Sequence, residues 1–143
     1  IIGGAPERFA PFAQLYRRSL EESGTAARRV AVHSHGFVAE TDERAAELYY
    51  PHWEAALRTL GAERGWPAPS PIQFRQEIEH GALHLGSPET VARKIARSIT
   101  ALGASRFGMK YGNGSLPHEY MMDSIELYGT RVKSLVLDML SGS

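Results

Sequence analysis

The order in which strand and helix patterns alternate constrains this chain more than any single motif in it. The closing stretch, SRFGMKYGNGSLPHEYMMDSIELYGTRVKSLVLDML, reads as a short strand, a glycine turn capped by Ser115, and a long amphipathic helix. In that helix Met121, Ile125, Tyr128, Val132, Leu135 and Met139 recur at alternating spacings of four and three, which predicts one continuous buried stripe. Upstream, RRVAVHSHGFVAET has the β-branched density and polar borders of a strand. The opening IIGG reads as the end of another strand entering a glycine turn. The helix after it has Pro6 in its first turn, Phe9, Phe12, Ala13, Tyr16 and Leu20 on one face, and Gly24 as its C′ residue. SPETVARKIARSITALG is a further helix, with Ser87 as N-cap, Pro88 at the first helical position and Val91, Ile95 and Leu102 on one face.

Between the HSHGFV strand and that helix, Thr41 suits an N-cap, and Asp42 and Glu43 complement the helix dipole. A helical pattern runs on towards Gly61, with a kink or break expected at Pro51. GWPAPSPIQFRQEIEHGA is the least regular segment, a loop with one short helix around IQFRQEIE, and ALHLG is a short extended piece. Residues 40–86 together read as a helical insertion or lid within a single partial domain spanning 1–143. Strands alternating with helices of this length imply parallel βα units. A parallel sheet needs both faces covered, and two or three strands leave a long unpaired edge. The expectation is therefore the closing part of a larger α/β protein.

Composition excludes several function classes. The 143 residues carry 16 Lys+Arg against 16 Asp+Glu, so no basic excess argues for nucleic acid or an anionic membrane surface. Cysteine is absent, which removes disulfides, thiolate metal sites and a Cys nucleophile, and fits a cytoplasmic protein. No apolar run is long enough to span a bilayer.

Four segments, in this order, resemble the C-terminal part of luciferase-like flavin-dependent monooxygenases, the bacterial-luciferase-type (β/α)8 barrels. They are IIGGAPERFAPFAQLYRRSLEESG, VAVHSHGFVAETDERAAELYYPHWEAALRTLGAERGW, LGSPETVARKIARSITALGASRFGMKY and GSLPHEYMMDSIELYGTRV. The resemblance implies the end of strand six, strands seven and eight with their helices, and an insertion after strand seven. It implies an enzyme, active in its full-length form, that uses reduced flavin and O2 on a small organic substrate. VHSHGFV points to flavin mononucleotide (FMN), with deazaflavin and a separate flavin reductase left open. It also implies that the strands carrying most flavin contacts lie outside this sequence, so that the chain alone is inactive. Its exposed strand edges are then covered by a homo-oligomeric copy or by the N-terminal part.

Side chains alternate along a barrel strand between interior and helix layer. Val30, Val32 and Val38 fall on one face, and Ala31, His33, His35 and Phe37 on the other. With the valines against the helices, His33 and His35 point into the barrel near the carboxyl end, where barrel active sites lie. These two imidazoles are the candidate catalytic residues; the plain alternative is a pair of core histidines joining strands. An H-x-H pair also suits a metal, as in a metal-dependent barrel hydrolase, but no matching ligands follow it. The last strand has Phe107, Met109 and Tyr111 on one face and Arg106, Gly108 and Lys110 on the other. An inward Lys110 pairs either with an anionic group of cofactor or substrate or with a structural carboxylate. The candidate cofactor-binding set is Gly3, Gly4, Lys110 and Tyr111. For Gly3 and Gly4 a tight turn is an equal explanation. His118 sits at the rim, and Trp53, Trp66 and Phe74 belong either to the core or to a lid. A non-catalytic binding or assembly fragment is the reading of a different class.

Overall fold

The computed structural model describes residues 4–142, so the strand end expected at the first residues, and with it Gly3, lies outside the described residues. Three strands form one parallel sheet: β1 (Ala31–Val38), β2 (His84–Gly86) and β3 (Arg106–Lys110), in the order β2-β1-β3. β3 pairs with the first five residues of β1, from Ala31 opposite Arg106 to His35 opposite Lys110. β2 pairs with its last three, from Gly36 opposite His84 to Val38 opposite Gly86. The HSHGFV strand and the FGMK strand are therefore parallel neighbours, as the βα pattern requires. Around the sheet run α1 (Pro6–Glu22), α2 (Asp42–Arg64), α3 (Pro71–Glu79), α4 (Pro88–Leu102), α5 (His118–Leu127), a π turn (Tyr128–Val132) and α6 (Lys133–Ser141).

The two faces of β1 differ sharply. Val32, Ser34, Gly36 and Val38 are buried, whereas Ala31, His33 and His35 are exposed. Val38 packs with Val91, Ala92 and Ile95 of α4 and with Val132 and Val136, and Val32 packs with Ala13, Leu102 and Ala104. Burying one such aliphatic side chain stabilises by about 1.5–3 kcal/mol. Gly36 is fixed by close packing on this side, because a Cβ there would stand 2.5 Å from the His84 carbonyl oxygen and 2.9 Å from the Met109 thioether. At the carboxyl end of β1 the exposed face closes. Phe37 stacks on Tyr49 of α2 at 5.4 Å, and Trp53, Phe74, Leu83, Leu85 and Leu116 complete that cluster.

The caps read from the sequence form at Thr41 and Ser87, whose side chains accept from Arg44 N and Thr90 N. Ser70 caps α3 in the same way. Asp42 ties two helix starts together, accepting from Ser87 N at 2.6 Å and from Thr90 Oγ1 at 3.0 Å. Lys94 of α4 donates to the carbonyls of Ile78 and Leu83, which holds the end of α3 and the entry to β2 against α4.

Three expectations need correction. α2 runs through Pro51 without a break: proline removes one intrahelical bond, and Tyr49 and Trp53, both buried, anchor the helix on either side. Ser115 does not cap the last helix, which begins at His118 behind Pro117. Its hydroxyl lies 2.8 Å from His52 Nδ1 instead. The most buried positions of that helix are Ser124, Val132 and Val136, and the expected stripe residues Met121, Ile125, Tyr128, Leu135 and Met139 are half-buried around them. The helix passes through a π turn at Tyr128–Val132. On α1, Ala13 is buried while Phe12 is 65% and Tyr16 41% exposed, so its apolar face is only partly covered.

Candidate functional site

The exposed face of β1 and β3 gathers His33, His35 and Lys110. In parallel pairing, residues opposite one another project to the same side, so His35 stands beside Lys110 and His33 beside Gly108. Gly108 lies alongside the His33 ring: a Cβ there would stand 3.6 Å from His33 Cδ2, an ordinary contact distance. Arg106 projects from the same face at the other end of β3, opposite Ala31. The His35 pKa is held below its ordinary value, chiefly by burial and then by the charges of Lys110 and His33. Its imidazole is therefore neutral at pH 7 and can donate from one nitrogen and accept at the other.

His35 also lines a cavity of 280 Å³ between the end of β1, α2 and α3. Trp53, Leu57 and Leu83 give it apolar walls, and Tyr49, Gln73, Glu77 and Asn113 its polar points. A larger cavity, 370 Å³, opens between α2 and α5 around Phe37, Glu40, Arg44 and Asp123. Neither histidine of the exposed face lines it.

Other expected site residues lie elsewhere. Gly4 adopts φ +84° ahead of α1, where a Cβ would collide with the Phe9 ring, so the turn itself demands glycine. Tyr111, half-buried just past β3, interacts with Tyr128 of the π turn, whose hydroxyl pKa is raised by burial and then by Tyr111. His118 is the first residue of α5. Trp53 and Phe74 are core aromatics, with rings 5.0 Å apart, whereas Trp66 is exposed beneath the Arg64 guanidinium. No third metal-ligating side chain joins His33 and His35 among the described residues, so the H-x-H metal reading finds no support. No helix among them is long and apolar enough to cross a membrane.

Sequence reasoning missed His84, Tyr49 and Asn113. His84 is buried on the helix side, with Nδ1 2.8 Å from the Ala82 carbonyl oxygen, Nε2 3.1 Å from Ser98 Oγ, and its ring 4.8 Å from that of Phe107. Burial pushes its pKa down to about 4, which makes it the neutral core histidine of the molecule. Tyr49 follows Ala45 and precedes Trp53 at helical intervals of four, a spacing that signals only a core face.

No family model matches the chain, and no curated protein matches it in sequence. Solved structures do match. The monooxygenase RslO1 from Streptomyces bottropensis is similar at a TM-score of 0.76 and 18% identity, over 90% of this chain and 38% of that one. The oxygenating constituent of 3,6-diketocamphane monooxygenase from Pseudomonas putida, a type II Baeyer–Villiger monooxygenase solved in complex with FMN, is similar at 0.65 and 18%, over 94% and 42%. The long-chain alkane monooxygenase LadA is similar at 0.58 and 19%, over 96% and 36%. The chain thus spans about two fifths of the length of the structures it matches. Its mixed α/β fold with a small parallel sheet is shared with luciferase-like flavin monooxygenases.

Proposed function

We propose that this chain forms the C-terminal portion of a (β/α)8 barrel that acts as a flavin-dependent monooxygenase, with β1 and β3 as strands seven and eight. FMN is the cofactor, and O2 and a small organic molecule are the substrates. One observation carries the reading. The helix-facing side of β1 is packed to completion, while the opposite side presents His33 and His35 beside Lys110.

The residues present fit an anionic planar cofactor. Gly108 and the two imidazoles make a low surface with hydrogen-bonding edges, and Lys110 and Arg106 place cations on the same face. Lys110 is the candidate partner for a negative group of the flavin. His35, neutral and next to the cavity, orients the substrate or holds a proton at a ring nitrogen. Reduced flavin, when bound, supplies the electrons that activate dioxygen. α2 and α3 wall the substrate chamber and keep water from it, the role proposed for the 40–86 region. The exposed Phe12, Leu15 and Tyr16 of α1 fit a helix that packs on a further part of the barrel or on a second copy.

The test is oxygen uptake by the full-length polypeptide supplied with reduced FMN. Substrate-dependent uptake above the rate of free reduced flavin is expected. A full-length polypeptide that neither retains nor accelerates reduced FMN overturns the reading.

A further inference from the structure

The cavity beside His35 has walls of unequal strength. α3 and the residues after it are fixed on several sides. Lys94 donates to the Ile78 and Leu83 carbonyls, Ser34 Oγ donates to the Ala82 carbonyl oxygen at 2.5 Å, and the Glu77 carboxylate accepts from Ala82 N at 3.3 Å. Another part of the wall is Asn113, carried on the loop between β3 and α5. A glycine stands on each side of it: Gly114 at φ +48°, and Gly112 with open space where a side chain would project. The turn in this loop closes on itself, Leu116 N donating to the Asn113 carbonyl oxygen at 2.9 Å, and α5 starts behind it with no side-chain cap.

One face of α2 holds the loop down. Tyr49, His52, Trp53 and Ala56 follow one another at spacings of three, one and three. Leu116 is buried in the cluster with Tyr49 and Trp53, the Asn113 side chain meets the Tyr49 hydroxyl, and a Cβ at Gly114 would lie 3.8 Å from Ala56 Cβ. The tip is fastened by Ser115 Oγ, 2.8 Å from His52 Nδ1, in an exposed hydrogen bond. Water competes for both partners, so this closure is weak beside the bonds that fix α3. We propose that residues 112–115 form a flap of the cavity, hinged between Tyr111 and Leu116 and latched shut by the His52–Ser115 bond. Unlatching carries Asn113 away from Tyr49 and opens the cavity between α2 and the loop. α2 and α3 are the frame on which the flap closes. His52 and Ser115 are positioning residues that act through Asn113. Calling the admitted molecule the substrate rests on the proposed flavin function. The latch does not, because both of its partners and every residue lining the cavity belong to this chain.

Amide hydrogen exchange in the full-length polypeptide, read by mass spectrometry, tests the latch. In Ser115→Ala, exchange across 112–116 should rise roughly fivefold, the equivalent of one exposed hydrogen bond, with the α3 and α4 peptides unchanged. Ser115→Thr keeps the hydroxyl and should exchange at the parent rate. A covalent latch gives the converse. The 3.8 Å between Ala56 Cβ and a Cβ at Gly114 suits a disulfide, which spans about 3.5–4.5 Å, and this chain has no cysteine of its own. In Ala56→Cys/Gly114→Cys, oxidation should slow the entry of toluene, followed by the fluorine resonance of a fluorotryptophan-labelled Trp53 in the cavity wall. Reduction should restore the rate, and because the reduced form is the reference, strain at φ +48° cancels. Three outcomes overturn the proposal: equal exchange across 112–116 in Ser115→Ala and the parent, faster exchange spread over the whole chain, or a Trp53 resonance that toluene leaves unmoved or moves equally fast in both forms. FMN titration of the same polypeptide separates the two readings. A working latch without FMN binding removes the flavin function and leaves the flap. FMN binding with exchange independent of Ser115 does the reverse.

Discussion

The backbone N–H of Val38 donates to the Ser124 hydroxyl oxygen at 2.9 Å, and both residues are buried. This bond ties the last residue of β1 to α5 across 86 residues of chain, at the carboxyl end of the strand that carries His33 and His35. Ser124→Ala leaves a buried amide without its acceptor, so a loss of about 1–3 kcal/mol is expected. Urea unfolding measures it. A loss below about 0.5 kcal/mol, on the order of a surface substitution, contradicts the assigned bond.

His84 predicts an acid limb in stability. Its folded pKa, about 4, is depressed from the ordinary value of 6.5. Above 6.5 both folded and unfolded forms are neutral, and the stability is fully present. As pH falls from 6.5 towards 4 the unfolded chain takes up the proton first, and stability is lost. The full loss is on the order of 3 kcal/mol. Denaturation at about pH 7, 5.5 and 4 checks it. In His84→Gln this component of the slope disappears, while a slope equal to the parent's assigns the acid limb to other groups.

His35 predicts a pH dependence of function with the same sign. Burial, Lys110 and His33 depress its pKa, so the neutral form dominates at pH 7 and is lost only as pH falls through a value below 6.5. Turnover that needs the neutral imidazole should decline on that acid side, and Lys110→Met should move the decline to higher pH by removing a nearby positive charge. His35→Ala in the full-length enzyme should cut turnover by about 10²–10⁴-fold if the ring moves a proton, with little change in melting temperature, since the half-covered ring lies outside the buried core. An unfolded variant with unchanged residual specific activity returns His35 to the core.

Periodicity carried the parts of the fold that repeat. The alternation in RVAVHSHGFV separated Val32 and Val38 from His33 and His35 because one face is packed and the other open. Ser87-Pro88 and Thr41 marked helix starts because caps act locally. Where tertiary packing overrode local preference, the sequence misled. Pro51 reads as a kink or a break, yet α2 continues through it with Tyr49 and Trp53 buried on either side. The apolar spacing of α1 marks one face, yet says nothing of what covers it, and Phe12 and Tyr16 stay exposed. The cavity was not legible at all. It depends on β1, α2, α3 and Asn113 converging from distant parts of the chain.

The most direct measurement follows the histidine side chains by NMR while FMN is titrated into the full-length polypeptide. If the open face of β1 and β3 holds the flavin, the ring resonances of His33 and His35 shift together and saturate, and Lys110→Met weakens that response. His84, on the opposite side of the sheet and sealed between Ala82, Ser98 and Phe107, does not move. Unperturbed His33 and His35 resonances at an FMN concentration that saturates binding would contradict the assignment of this face to the flavin.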